Sequence, residues 1–71
     1  MPITLLSNDY ISLGREIRRQ RIRLGLTQQE LAKMIPCSLS YISHIENGDK
    51  PSLDMLVRLA HILGLSLDML L

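Results

Sequence analysis

Apolar positions along this chain recur at three- and four-residue intervals, and no stretch shows the two-residue alternation of a strand. Leu13, Ile17 and Leu24 lie on one stripe, with Tyr10 able to extend it by a turn. That predicts a first helix starting between Asn8 and Leu13 and running to Leu24, where Gly25 supplies a left-handed stop. Ser7, Asn8, Asp9 and Ser12 all qualify as its cap. Thr27 and Glu30 form a Thr-x-x-Glu capping box for a second helix, whose apolar side is Leu31, Met34 and Ile35. Pro36 ends it, because proline biases the preceding Ile35 away from the helical region.

Ser38 then caps a third helix from about Leu39 to Asn47, with Ile42 and Ile45 facing inward and Leu39 and Tyr41 flanking them. Asn47-Gly48 is the stop. Pro51-Ser52 opens a fourth helix with Leu53, Leu56, Val57, Ala60 and Leu63 as its buried stripe, closed by Gly64. Ser66 caps a last short turn, Leu67 to Leu71, for five helices in all. The expected class is all-α, built from helices too short to be stable separately.

Seventy-one residues make one domain near the lower size limit for unaided folding, so its core must be dense or shared with a partner chain. The 46% hydrophobic content meets that demand and excludes a disordered tail. Tyr10 and Tyr41 are the only aromatic residues, leaving Leu, Ile, Met and Val to fill the interior. The single cysteine, Cys37, has no disulfide partner and no second thiol at metal-ligand spacing. It reads as a small apolar residue ahead of a redox sensor. The apolar runs are too short to span a membrane, and the start Met1-Pro2-Ile3-Thr4 lacks the basic region of a signal peptide, so a cytoplasmic location is the default expectation.

Net charge is only +1. Its distribution is more informative, since Arg15, Arg18, Arg19, Arg21 and Arg23 crowd one segment in which Glu16 is the sole acid. Such a stretch is either a solvated helix face or a surface for phosphate, because screening makes local charge count most. The two short helices joined by Pro36-Cys37-Ser38 have the geometry that lays one helix across a DNA backbone and its partner in the major groove. Spacing alone does not decide, since many helical proteins contain such a pair.

The residues carry further. Leu13-Gly14, Ile17, Arg21, Gly25-Leu26-Thr27-Gln28, Glu30-Leu31-Ala32, Tyr41-Ile42-Ser43, Ile45-Glu46-Asn47-Gly48, Pro51-Ser52 and Leu63-Gly64-Leu65-Ser66 stand at matching spacing. From Leu13 to Leu70, about four fifths of the chain, the sequence resembles the Cro/CI-type helix-turn-helix family of phage repressors and bacterial regulators. The resemblance implies a five-helix, lambda-repressor-like domain over residues 12–71, preceded by an N-terminal extension, residues 1–11. It also implies double-stranded DNA as partner, no cofactor and no enzymatic activity.

Ala32 is small where the two helices of the motif cross. Gln28 opens the second helix, where free backbone amides favour an anion, and the resemblance makes it a phosphate anchor able to support a recognition-helix residue. An ordinary exposed first-turn residue is the alternative. Arg21 and Glu46 are implied to form a partly buried ion pair of mainly structural role, with Arg21 a secondary candidate for a backbone phosphate. The remaining phosphate candidates are Tyr41, which packs across the motif from the third helix with its hydroxyl toward a phosphate, and Asn47, the Gly48 backbone amide and Lys50 in the following loop, which Asp49 weakens.

Base reading falls by resemblance to Ser38, Leu39, Ser40, Ser43 and His44. None of these is Arg, Gln or Asn, so no bidentate purine contact is available from them. Ser40 and Ser43 suit several base edges, Leu39 suits a thymine methyl or else a core or interface, and His44 suits guanine, a phosphate or plain solvent. Direct readout is therefore modest, and DNA shape and deformability must supply the rest.

Pro36 departs from the family pattern, which favours glycine or another residue tolerant of positive φ, so the turn must close differently. The apolar ends are the other departure: Ile3, Leu5, Leu6 and Ile11 at the start, and Leu67, Met69, Leu70 and Leu71 at the finish. They fit a homodimer interface that places two recognition helices about 34 Å apart, one DNA turn. The alternative is that the N-terminal segment folds over its own core.

An enzyme is not expected: His44 and His61 lack paired carboxylates or thiols, and no Gly-rich phosphate loop or small-molecule site is evident. The rival to a regulator is a protein-interaction module of the same fold, such as an antitoxin or complex component, with DNA binding weak or lost.

Overall fold

In the computed structural model, which describes residues 10–66, four helices follow one another without strands: α1 (Tyr10–Arg23), α2 (Gln28–Met34), α3 (Leu39–Glu46) and α4 (Leu53–Leu63). The fifth turn expected at Leu67–Leu71 and the dimer candidates within it lie outside the described residues.

Local chemistry sets most of the boundaries. Thr27 is the N-cap of α2: its hydroxyl accepts from the Glu30 N–H at 3.0 Å, and the Glu30 carboxylate accepts from the Thr27 N–H at 2.8 Å. Ser38 and Ser52 do the same work for α3 and α4, accepting from the N–H groups of Tyr41 and Met55. Gly25 and Gly64 take φ of +73° and +71° just past α1 and α4, which a side chain would make costly.

The turn between α2 and α3 differs from expectation. Ile35 stays in the helical region (φ −67°, ψ −48°) because its N–H still reaches the Leu31 carbonyl at 3.2 Å and its side chain is held in the core. The Ile35–Pro36 peptide bond is cis. Pro36 brings no N–H, and the next one, from Cys37, closes the turn onto the Ala32 carbonyl at 2.7 Å.

The core gathers Leu13 and Ile17 of α1, Leu31, Ala32 and Ile35 around α2, Ile42 and Ile45 of α3, and Leu56, Leu59 and Leu63 of α4. Four expected core residues lie outside it. Leu24, Met34, Leu53 and Val57 are all about half or more exposed, while Leu59, absent from the expected stripe, is completely buried. In α4 the buried face is thus rotated toward Leu56, Leu59, Ala60 and Leu63. Leu39 is likewise exposed, at the start of α3.

Gly14 sets the closeness of α1 to α3. A Cβ there would run into the carbonyl oxygen of Ile45 and stand 2.8 Å from that of Glu46, so only glycine lets the end of α3 rest on α1. This contact brings the end of α3 close against α1, and α3 keeps Ile42, Ile45 and Glu46 buried.

Candidate nucleic-acid interface

The outward side of α3 carries the expected base readers. Leu39, Ser40 and His44 are exposed, and Ser43 is half-buried. Ser40, His44 and Asn47 follow one another at intervals of four and three, which puts them on one stripe. Ser38 also stands exposed at the helix start, but its oxygen is held as the cap, accepting from Tyr41 N–H at 3.0 Å, so its hydroxyl proton and one lone pair remain to offer. His44 Nδ1 lies 3.8 Å from the Asp49 carboxylate, and both side chains are open to solvent.

Beneath the inner end of α3 lies a charged network. Arg21 Nε donates to Glu46 Oε2 at 2.7 Å, its Nη2 to Oε1 at 3.2 Å, and its Nη1 to the Leu26 carbonyl at 2.8 Å. Only 11% of the Arg21 side chain and 4% of that of Glu46 remain exposed. A guanidinium has five N–H donors, so Arg21 retains two, in a position with little access to an outside phosphate. The geometry makes it chiefly a strut between α1, the α1–α2 turn and α3.

Gln28 joins the same network. Its Nε2 donates to Glu46 Oε1 at 3.1 Å, and since a carboxylate only accepts, the amide must present nitrogen to Glu46. One amide hydrogen is thereby used and one is left. Gln28 is thus tied to a residue of α3 while standing half-buried at the first position of α2.

Tyr41 reaches from α3 to α4. Its hydroxyl oxygen accepts from the Ser52 N–H at 3.3 Å, leaving the phenolic proton free to donate. The Lys50 ammonium stands 6.0 Å from the centroid of the Tyr10 ring, at the outer limit of a cation–π contact. Asn47 caps α3 with its backbone N–H and leaves its side chain exposed. In the following turn Gly48, at φ +108°, leaves just enough room for Ile11: a Cβ would come within 2.9 Å of its side chain.

Two titrating groups depart from their ordinary values. The Thr27 backbone N–H, and after it the Thr27 hydroxyl, hold the Glu30 carboxyl below the usual carboxylate range. Burial pushes the Cys37 thiol up, so that it stays protonated at neutral pH and packs, half-buried, against the core. Among the described residues no cluster of His, Cys, Asp and Glu is placed to hold a metal ion, and no helix is long and apolar enough to cross a membrane.

Three features go beyond the expectations: the Leu26 carbonyl as a partner of Arg21, the tie from Tyr41 to the first turn of α4, and Glu46 as the particular residue of α3 that Gln28 supports. The first closes across the α1–α2 turn, five residues along, and the other two join residues 11 and 18 apart; none follows from helical spacing. The capped pair α2–α3, the exposed polar side of α3 and the strut beneath it make up the two-helix arrangement that presents one helix to a groove. A model of the helix-turn-helix family matches residues 17–70, which spans all of this arrangement. The chain therefore belongs to the Cro/CI-type (XRE-type) helix-turn-helix family of DNA-binding transcriptional regulators.

Proposed function

We propose that the protein binds specific sites on double-stranded DNA as a lambda-repressor-like homodimer, with α3 in the major groove and α2 across the backbone. The observation that carries this reading is the division of α3. Ile42, Ile45 and Glu46 are buried, whereas Ser40, His44 and Asn47 form a polar stripe open to a partner. Hydroxyls and an imidazole on that stripe can meet base edges without demanding one base, so selectivity leans on the shape of the site. Gln28, the free proton of Tyr41, Asn47 and Lys50 act as the phosphate contacts that fix the register. Occupying the site and blocking polymerase there is the proposed action. Pairing of two copies sets the half-site spacing at about 34 Å.

Fluorescence titration of a random-sequence duplex at two salt concentrations tests the reading, with a Gln28→Ala, Lys50→Ala variant alongside. Affinity falls with salt in the wild type; the variant binds more weakly, and its slope is shallower by about 0.9 per protomer, the share of the one Lys50 cation removed, because the neutral Gln28 amide displaces no counterion. Absence of binding even at low salt would sink the DNA reading and favour the protein-interaction module, a view to which the Asp49 carboxylate beside His44 lends some support. Light scattering at high micromolar concentration tests the dimer, and a one-chain mass would remove it.

A further inference from the structure

The five arginines of α1 separate by what they touch. Arg19 is paired with Glu16 at 3.1 Å, Arg21 is committed to Glu46 and Leu26, and Arg23 donates to the Gln20 side chain at 3.2 Å. Arg15 and Arg18 hold no polar side-chain partner among the described residues. Of these two, only Arg18 lines the open groove between the end of α1 and the start of α2. Ile22 and Leu26 form the apolar part of that groove, and Thr27, Gln28 and Gln29 its polar rim.

This lining has a definite chemistry. It contains a free cation, amide and hydroxyl donors, and a partly exposed isoleucine, but no carboxylate. A nucleic-acid strand alternates phosphates with deoxyribose units whose C–H edges are apolar. The groove offers a partner for each: Arg18 and the amides for the anion, Ile22 and Leu26 for the sugar. Gln28 belongs both to this groove and to the network under α3, which makes the groove continuous with the proposed contact face.

We infer that Arg18 is a phosphate-contacting residue, and that the α1–α2 groove takes the sugar–phosphate strand next to the proposed phosphate contact at Gln28. This rests on the DNA-binding reading above. Arg18 supplies a contact that positions the domain on the duplex and carries no base preference. Arg15 and Arg19, one solvated off the groove and the other paired, supply none. The role that the sequence assigns only to a basic stretch thus narrows to one side chain.

The test is the salt dependence of random-duplex binding between 50 and 200 mM for the wild type and for Arg18→Gln, Arg18→Lys and Arg15→Gln, each checked for an unchanged melting temperature. For Arg18→Gln the slope of log affinity against log salt falls by about 0.9 per protomer bound, so its deficit shrinks about 3.5-fold per protomer across that range. Arg18→Lys keeps the wild-type slope, because one cation still replaces one counterion. Arg15→Gln also keeps it. An unchanged slope in Arg18→Gln, with the wild type binding, overturns the inference alone and leaves the groove to a different occupant such as an acidic protein segment. Equal slope losses in Arg15→Gln and Arg18→Gln overturn it too, as a general charge effect. Failure of the wild type to bind removes both this inference and the reading beneath it.

Discussion

Removing Glu46 tests the strut under α3 directly. In Glu46→Ala the Arg21 guanidinium loses bonds of 2.7 and 3.2 Å and keeps only the Leu26 carbonyl, while the Gln28 amide loses its acceptor at 3.1 Å. The cation is left with 11% of its side chain exposed, too little to be hydrated by rotation alone. One-sided loss of a buried pair costs about 3–5 kcal/mol, and the slight exposure puts this case near 3 kcal/mol. A chain of 71 residues has a total stability of about 4–11 kcal/mol, so the loss consumes a large share of it. For a domain of this size it lowers the melting temperature by roughly 12–24 °C.

The companion variant is Arg21→Met, Glu46→Leu, which removes both charges and leaves similar volume. Desolvation offsets most of what a buried pair gains, so the double variant is expected to be clearly more stable than Glu46→Ala. Urea unfolding followed by circular dichroism, with equal slopes across the variants, measures both. A loss under about 1 kcal/mol for Glu46→Ala, or a double variant no better than the single one, would refute the burial argument.

Two further predictions concern the scaffold. Gly14→Ala gains about 1 kcal/mol of helix propensity but drives a methyl into the Ile45 and Glu46 carbonyls, so a net loss of about 1–2 kcal/mol is expected by urea unfolding; a stabilised variant would show that α1 and α3 are not in close contact. Because the folded Glu30 carboxyl is held below its unfolded value, its contribution to stability is present at neutral pH and lost as pH falls through that lowered value. Glu30→Gln keeps an acceptor for the capping box without the titration, so its stability falls less on acidification; identical acid limbs for the two proteins would remove the cap as the cause.

Whatever depends on residues three or four apart could be read in the chain. The caps at Thr27, Ser38 and Ser52 and the left-handed stops at Gly25 and Gly64 work through bonds that close within one turn, and they place the elements to within a residue or two. The recurring motif residues, Gln28 through Ser66 above all, made the family legible because so many stand at matching spacing. The inward position of Ile42 and Ile45 followed from the same periodicity.

Tertiary structure decided which side of each helix meets a neighbour. These helices run only 7 to 14 residues and carry apolar residues on more than one face, so periodicity does not say whether Leu53 and Val57 or Leu59 will be covered. Packing of α4 into the shared core settles it for Leu59, whereas Leu24 and Met34 stay about half exposed outside that core. Nor, Arg21 apart, does the chain itself rank its five nearby arginines. They become different only when Glu16, Glu46 and Gln20 take up three of them and the α1–α2 groove forms beside Arg18. Charge is a property of the sequence, but its availability depends on distances that exist only once the helices have packed.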